Sequence, residues 1–146
     1  MTRTPRDVAE ETRRMVAGES TIPFADLFAE DGVMEYRFAP PGFPTELVGR
    51  EAIRAHFAKA GRHREVLEIE QVDLIVRQTD DPEVIVTEIT HKGWSKAAKD
   101  HYTFTALGVV RVRDGMIVHY DDYMNPIAMA RLLGRTDELV AALSTQ

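Results

Sequence analysis

The amino-acid sequence predicts a single α+β domain, with helices packed on one face of an antiparallel sheet. Helical spacing of apolar residues is confined to positions before residue 62 and after residue 125, and four long strand-like segments lie between them. Helices gathered ahead of an antiparallel meander are typical of this class. Because 146 residues is the usual size of one domain, we assign 1–146 to one unit, with 135–146 as a helical tail.

Two helices are predicted near the N-terminus. The first carries an apolar stripe on one face, formed by Val8, Thr12, Met15 and Val16. The second is predicted between Ser20, a residue type that caps helices, and Asp31-Gly32, since glycine accepts the left-handed backbone that ends a helix. Its apolar face is formed by Phe24, Leu27 and Phe28.

The rest of the chain alternates between strand and helix signals. Residues 33–38 are predicted as the first strand, 39–44 as a loop and 49–61 as a third helix. Four strands follow at 67–78, 84–92, 101–113 and 116–124, and Asp114-Gly115 predicts a two-residue hairpin between the last two. Asn125-Pro126 predicts the start of a short helix, and Thr136 the start of the last one.

Composition excludes several classes of function. The net charge of −6 and the acidic residues after Arg62-His63-Arg64 argue against a nucleic-acid partner, which needs clustered basic side chains. The charged N-terminus and the lack of a long apolar stretch predict neither a signal peptide nor a membrane span. The absence of cysteine suits a reducing compartment, so we expect a cytoplasmic location.

A resemblance to a known family rests on three segments: FADLFAEDGVMEYRFAPPGFP, GREAIRAHF and VVRVRDGMIVHYDDYMNPIAMARLLG. In their order and spacing they resemble the SnoaL-like branch of the nuclear transport factor 2-like superfamily, over about residues 5–134. The resemblance implies a cone-shaped fold, in which a bent antiparallel sheet and N-terminal helices enclose a deep pocket. It also implies a homodimer formed through the outer face of the sheet.

Local motifs are most similar to the phenazine-biosynthesis A/B proteins. Met124-Asn125-Pro126 follows the last strand after an acid, Asp122, and Leu133-Gly134 ends the next helix. This likeness implies catalytic roles for Asp122 and for His56 on the third helix. Other superfamily mechanisms match less well. Tyr36 stands where ketosteroid isomerase has its aspartate, and Ile89 and His91 stand where limonene epoxide hydrolase has arginine and aspartate.

Two adjacent aspartates near the end of the last predicted strand are candidates for a general base. Asp121 and Asp122 must face opposite sides of a regular strand, and alternation alone does not say which of them faces the pocket. The resemblance selects Asp122, whose pKa burial would raise toward the range of a general base. We assign His56 as its proton-transfer partner, with His91 or Tyr36 holding a substrate oxygen. Expected substrate contacts are Met34, Phe38, Trp94, Tyr102, Tyr120 and Met124.

No cofactor or metal is predicted. The chain has no His-Glu-x-x-His motif, phosphate-binding loop or dinucleotide fingerprint. His119 and Asp121 have the spacing of two ligands of an iron facial triad, but no downstream histidine completes the site.

The leading hypothesis is a cofactor-independent enzyme of specialised metabolism, such as antibiotic biosynthesis. It would cyclise, isomerise or condense a small apolar carbonyl or polyketide-like compound. The alternatives are an epoxide hydrolase or epoxide-opening cyclase that uses His91, and a binding or dimerisation module without catalysis. In the expected homodimer, alternation leaves Ile117 and Tyr123 on the face opposite Asp122 as apolar contacts.

Overall fold

A computed structural model describes residues 2–60 and 63–144 of the chain. Five helices are present in this part: α1 (Pro5–Val16), α2 (Arg50–Ala60), α3 (His63–Val66), α4 (Pro126–Leu132) and α5 (Thr136–Ser144). The strands are β1 (Phe28–Tyr36), β2 (Glu46–Val48), β3 (Leu67–Gln78), β4 (Val84–Ser95), β5 (Asp100–Arg113) and β6 (Met116–Asp122). None of these helices combines the length and apolar character that crossing a bilayer requires.

Local sequence signals account for the helix ends. The Thr4 side chain accepts a hydrogen bond from the Asp7 backbone N–H and the Asp7 carboxylate accepts one from the Thr4 N–H, a reciprocal cap that starts α1. Asn125 caps α4 as predicted, because its side-chain oxygen accepts hydrogen bonds from two backbone N–H groups of the first turn. The third predicted helix is α2, and its predicted last residue, Gly61, lies outside the described residues.

The six strands form one sheet in the order β2-β1-β6-β5-β4-β3. Strands β3 to β6 form an antiparallel meander, and β2 pairs antiparallel with β1. The prediction of a wholly antiparallel sheet is wrong at one place, because β1 and β6 are parallel. Each strand of the meander runs opposite to the one before it, and the last of them, β6, lies beside β1 and points in the same direction.

The second predicted helix is wrong. Only one 3-10 turn forms, Phe24–Leu27, and Phe28 already begins β1, where it pairs with Ile117. The apolar residues of this segment bury equally well in either conformation, so pairing with a distant strand decides between them. Gly32 does not stop a helix, since it lies within β1. A Cβ there would approach the Ile117 carbonyl oxygen to 2.9 Å, so the close contact requires glycine.

The remaining strands were predicted well. β3 has the predicted bounds, and the turn at Asp114-Gly115 has positive φ at both residues, as a type I′ hairpin needs. β4 extends three residues beyond its predicted end, and β6 stops two residues earlier than predicted. β2 and α3 were not predicted; both are short and lack a periodic pattern.

A bulge in β6 changes which side chains face the core. Arg111 and Val112 of β5 pair with His119 and Ile117, so Val118 is an extra residue in the ladder. As a result Ile117 is fully buried in the core, not on the outer face where it was predicted to contact a second subunit. Homodimer formation stays a prediction without that contact.

The core lies between the sheet and the helices. One cluster joins α1, the 3-10 turn and α2 to the sheet and includes Val8, Leu27, Phe28, Ile53 and Ile85. A second cluster, around Leu67, Phe104 and Leu132, packs α4 against the far half of the sheet. The pocket described below lies where these helices leave one end of the sheet uncovered.

Candidate active site

A cavity with a volume of about 330 Å³ opens at one end of the sheet. It lies among the segment after β1, helices α2, α4 and α5, and the end of β6. Most of its lining is apolar: Phe38, Pro40, Phe43, Phe57, Met124, Met129, Leu133 and Leu139. A concave apolar site with a few polar groups is the usual form of a small-molecule site.

Three of the four predicted catalytic residues meet in this cavity. Tyr36 comes from the end of β1, His56 from α2 and Asp122 from the end of β6. Tyr36 and Asp122 are direct partners in the parallel β1–β6 ladder, so their side chains are neighbours on the same face. The Tyr36 hydroxyl lies 3.1 Å from His56 Nε2, within hydrogen-bonding distance.

Asp122 is the carboxylate on the pocket side. Burial raises the pKa of Asp122 from its ordinary 3.8 to about 6, since an ionised carboxylate loses hydration there. The Met124 backbone N–H donates a 2.8 Å hydrogen bond to Oδ1 and opposes part of this rise. A carboxyl group with this pKa is mostly ionised at neutral pH and is a stronger base than an exposed aspartate.

Tyr36 and His56, which also line the cavity, are held in their neutral forms. Burial, and then the charge of Asp122, raise the pKa of Tyr36 well above its ordinary 10.0. Burial, and then the nearby Lys59 ammonium, lower the pKa of His56 below 6.5. Near pH 7 the Asp122 carboxylate therefore shares the cavity with a neutral phenol and a neutral imidazole, and the charged residues Lys59, Arg135 and Glu138 also line its wall.

Asp121, next to Asp122 in sequence, faces the other side of the sheet. Its carboxylate accepts a hydrogen bond from Arg37 Nε at 2.8 Å, and His119 Nε2 lies 3.1 Å from the same oxygen. Arg37 also pairs with Glu35 at 3.1 Å, as expected for residues that share the outer face of β1. Which aspartate faces the pocket is thus decided by the structure, and it is Asp122.

His91, the fourth predicted catalytic residue, does not line the cavity. On β5 its partner is Phe104, whereas the partner of Asp122 is Gly108, four residues away. Four residues correspond to about 13 Å along a strand, too far for a shared proton. His91 Nδ1 lies instead 2.7 Å from the hydroxyl of Tyr102.

Among the six predicted substrate contacts, Phe38 and Met124 line the cavity and four do not. Met34 and Tyr120 are buried in the core, where the Tyr120 hydroxyl hydrogen-bonds to Thr87. Trp94 packs its ring edge-to-face on His101, with centroids 5.0 Å apart. Tyr102 belongs to the His91 pair, and burial raises its pKa to about 12.

Most residues of the pocket wall are not predictable from the sequence. Phe43 lies in the predicted Pro/Gly loop, while Met129, Leu133 and Leu139 come from the two C-terminal helices. Their positions depend on how α4 and α5 fold back over the sheet, which local patterns do not specify. The one available signal was Phe57, which shares the helix face of Ile53 beside His56.

Comparison with known proteins places this arrangement in a family. A model of the SnoaL-like domain matches residues 9–120, well over half of the chain. This chain belongs to the SnoaL-like domain family. An uncharacterised PhzA/B-like protein of Pseudomonas aeruginosa is 30% identical to this SnoaL-like protein over 88% of the chain and 89% of its own length.

Solved structures share the fold. A candidate isomerase from Bacillus subtilis has a TM-score of 0.72 at 24% identity, covering 89% of the SnoaL-like chain and 95% of its own. A phenazine biosynthesis-related protein of Pseudomonas aeruginosa has a TM-score of 0.57 at 18% identity, covering 92% and 88%. The predicted family and fold class are therefore confirmed, while identities this low carry no reaction or substrate.

Proposed function

We propose that this SnoaL-like protein is a cofactor-independent enzyme of specialised metabolism that moves a proton on a small, largely apolar carbonyl compound. The observation that carries the proposal is the convergence of Asp122, Tyr36 and His56 at one end of an apolar cavity. The phenazine biosynthesis-related structure and the PhzA/B-like relative support a role in specialised metabolism.

Asp122 is the proposed general base. Its carboxylate removes a proton from the carbon next to the carbonyl group, and the electron pair of the broken C–H bond moves onto the carbonyl oxygen. Burial strengthens the base, because the charged carboxylate gains from sharing its charge with a proton. The apolar wall also keeps water away from the enolate.

Tyr36 and His56 are proposed to stabilise the enolate oxygen. With its proton on Nε2, the neutral His56 ring donates to the Tyr36 oxygen and leaves the Tyr36 hydroxyl free to donate to substrate. Such a preorganised donor is strongest where charge develops in a water-poor site. Returning the proton to another carbon completes an isomerisation, and attack of the enolate carbon on an electrophile completes a cyclisation or condensation.

The alternatives receive less support from the site. Epoxide opening was expected to use His91 as the acid, and His91 lies outside the cavity wall. A non-catalytic ligand-binding module needs only the apolar walls and gives no reason for a buried carboxylate beside a neutral phenol and imidazole.

Hydrogen exchange in D₂O tests the proposal without knowledge of the native substrate. Cyclic ketones from cyclohexanone to 2-tetralone are incubated with the protein, and NMR follows deuterium incorporation next to the carbonyl group. We expect catalysed exchange whose rate rises with pH between about 5 and 7, with a midpoint near 6, as Asp122 ionises. Exchange no faster than in buffer across the whole panel would refute general-base catalysis and leave the binding module.

A further inference from the structure

We propose that Glu35, His119 and Asp121, on the outer face of the sheet, form a binding site for a divalent transition-metal ion such as Zn²⁺, which competes there with the Arg37 guanidinium. This site lies on the opposite face of β6 from Asp122 and is independent of the proposed catalysis. An imidazole and two carboxylates are a donor set that Zn²⁺ and its first-row neighbours accept.

The donor atoms already stand near the spacing that a metal imposes. His119 Nε2 lies 3.2 Å from Glu35 Oε1 and 3.1 Å from Asp121 Oδ1, and all three donors lie within 4.8 Å of one another. Around an ion with bonds of about 2.0–2.2 Å, neighbouring ligand atoms are about 2.8–3.6 Å apart. Two of the three edges therefore fit, and the third, between the two carboxylate oxygens, is at most 4.8 Å.

Three features of the backbone hold these ligands in place. His119 and Asp121 alternate along β6 and so share one face, and Asp121 is the ladder partner of Glu35 in the parallel β1–β6 pair. The side chains are only partly exposed, at 24% for Glu35, 34% for His119 and 15% for Asp121. Donors on adjacent strands with restricted rotamers lose little entropy when they bind an ion.

Arg37 is the competitor for the same oxygens. Its guanidinium lies 2.7 Å from Asp121 Oδ1 and 3.1 Å from Glu35 Oε2. Because the Arg37 side chain is 42% exposed, it can swing into solvent when a metal arrives. Two carboxylates against one guanidinium leave an excess negative charge, which favours a doubly charged cation.

Arg111, a second cation near the cluster, is held by carboxylates outside it. Arg111 is the ladder partner of His119 on β5, but its guanidinium pairs with Asp81 and Glu83, each at 2.9 Å. Arg111 and Arg113 together lower the pKa of Glu83 to about 2. Arg37 is therefore the side chain that a metal has to displace.

Calorimetric titration of the untagged protein with Zn²⁺ at pH 7 tests the site, with Mg²⁺ as a comparison and Co²⁺ absorption as a report on the ligands. We expect one Zn²⁺ per chain and far weaker binding of Mg²⁺, which prefers oxygen ligands and water. His119→Gln should weaken Zn²⁺ binding by more than the roughly 10–100-fold lost with a supporting hydrogen bond. Arg37→Gln should tighten it by about two- to fivefold, the factor equivalent to a partly exposed ion pair.

Two controls separate this site from others. His101→Gln changes an exposed histidine outside the cluster and should bind Zn²⁺ like the wild type. Asp122→Asn, on the pocket face, should also keep the wild-type affinity, so failure of the proposed catalysis does not affect this result. The proposal is overturned if neither the wild type nor Arg37→Gln binds Zn²⁺, or if binding survives His119→Gln.

Discussion

The two faces of the last strand carry adjacent aspartates in opposite environments. On the inner face Asp122 is surrounded by apolar walls, and burial raises its pKa to about 6. On the outer face Asp121 accepts hydrogen bonds from Arg37 and lies against His119. Identical side chains one residue apart are thus suited to different tasks, because the surroundings decide whether the charge is destabilised or compensated.

The same contrast extends to the neighbours of each aspartate. Asp122 shares its cavity with two neutral groups, Tyr36 and His56, which can exchange protons with a ligand. Around Asp121, Arg37 pairs with this carboxylate and with Glu35, and His119 Nε2 lies 3.1 Å from the Asp121 carboxylate in a partly exposed cluster. A desolvated ionisable group in a cleft, such as Asp122, is a candidate for catalysis, whereas Asp121 belongs to a cluster in which opposite charges are in contact.

The largest expected effect separates the two aspartates by rate. Asp122→Asn should slow the exchange of ketone α-protons in D₂O by about 10²–10⁴-fold, the usual contribution of a positioned base. Asp121→Asn, the matched change on the outer face, should leave the rate within about threefold, since Asp121 does not reach the cavity. Equal losses in both variants would contradict the assignment of faces.

A somewhat smaller effect is expected from the oxygen-binding group. Tyr36→Phe removes the hydroxyl that is proposed to hold the enolate oxygen and should slow exchange by about 10²-fold. The matched change Tyr123→Phe removes a hydroxyl from a ring packed on Phe38, 5.6 Å between centroids, and should have little effect on the rate. If Tyr36→Phe exchanges at the wild-type rate, the carbonyl group is bound elsewhere.

Replacing Asp122 and replacing Asp121 by asparagine should change the free energy of unfolding in opposite directions. The pKa of Asp122 is raised on folding, so the folded state binds its proton more tightly and loses stability as pH rises from about 4 to about 6. Asp122→Asn removes that penalty and should raise the free energy of unfolding above pH 6 by up to about 3 kcal/mol, with little change near pH 4.

Replacing the outer-face aspartate, Asp121, should lower the free energy of unfolding only slightly. Asp121→Asn removes an ion pair with the partly exposed Arg37 and should lower the free energy of unfolding at pH 7 by about 1 kcal/mol or less. Urea denaturation of the wild type and both variants between pH 4 and 8 measures the two predicted changes in the free energy of unfolding. If the difference in the free energy of unfolding between Asp122→Asn and the wild type does not grow between pH 4 and 6, Asp122 is not desolvated.

Much of the fold was predictable because its signals are local. The hairpin at Asp114-Gly115 needs only two residues that accept positive φ, and the cap at Asn125 needs only its own side chain. The strand β3 was predicted with its observed bounds. Tyr36, His56 and Asp122 were also selected as candidates before their proximity was known.

What could not be predicted depends on contacts between distant segments. Phe28 sits in a strand rather than a helix because it pairs with Ile117. His91 is an ionisable residue on the predicted strand face, but its position along β4 is too far from the cavity for its side chain to line it. Glu35 joins His119 and Asp121 only because β1 and β6 are adjacent and parallel, so the third ligand was invisible to a search along the sequence.

Local patterns are enough to predict the class of fold and the strands and turns that have local signals, and the family resemblance adds the acid–base candidates. The inward turn of Ile117 and the parallel pairing of β1 with β6 depend on contacts between segments, and these contacts place Asp122, the aspartate that the family resemblance selects, at the cavity. The physical reason is that the parallel β1–β6 pairing joins segments far apart in the chain, and that one extra residue in β6, Val118, reverses side-chain alternation at Ile117.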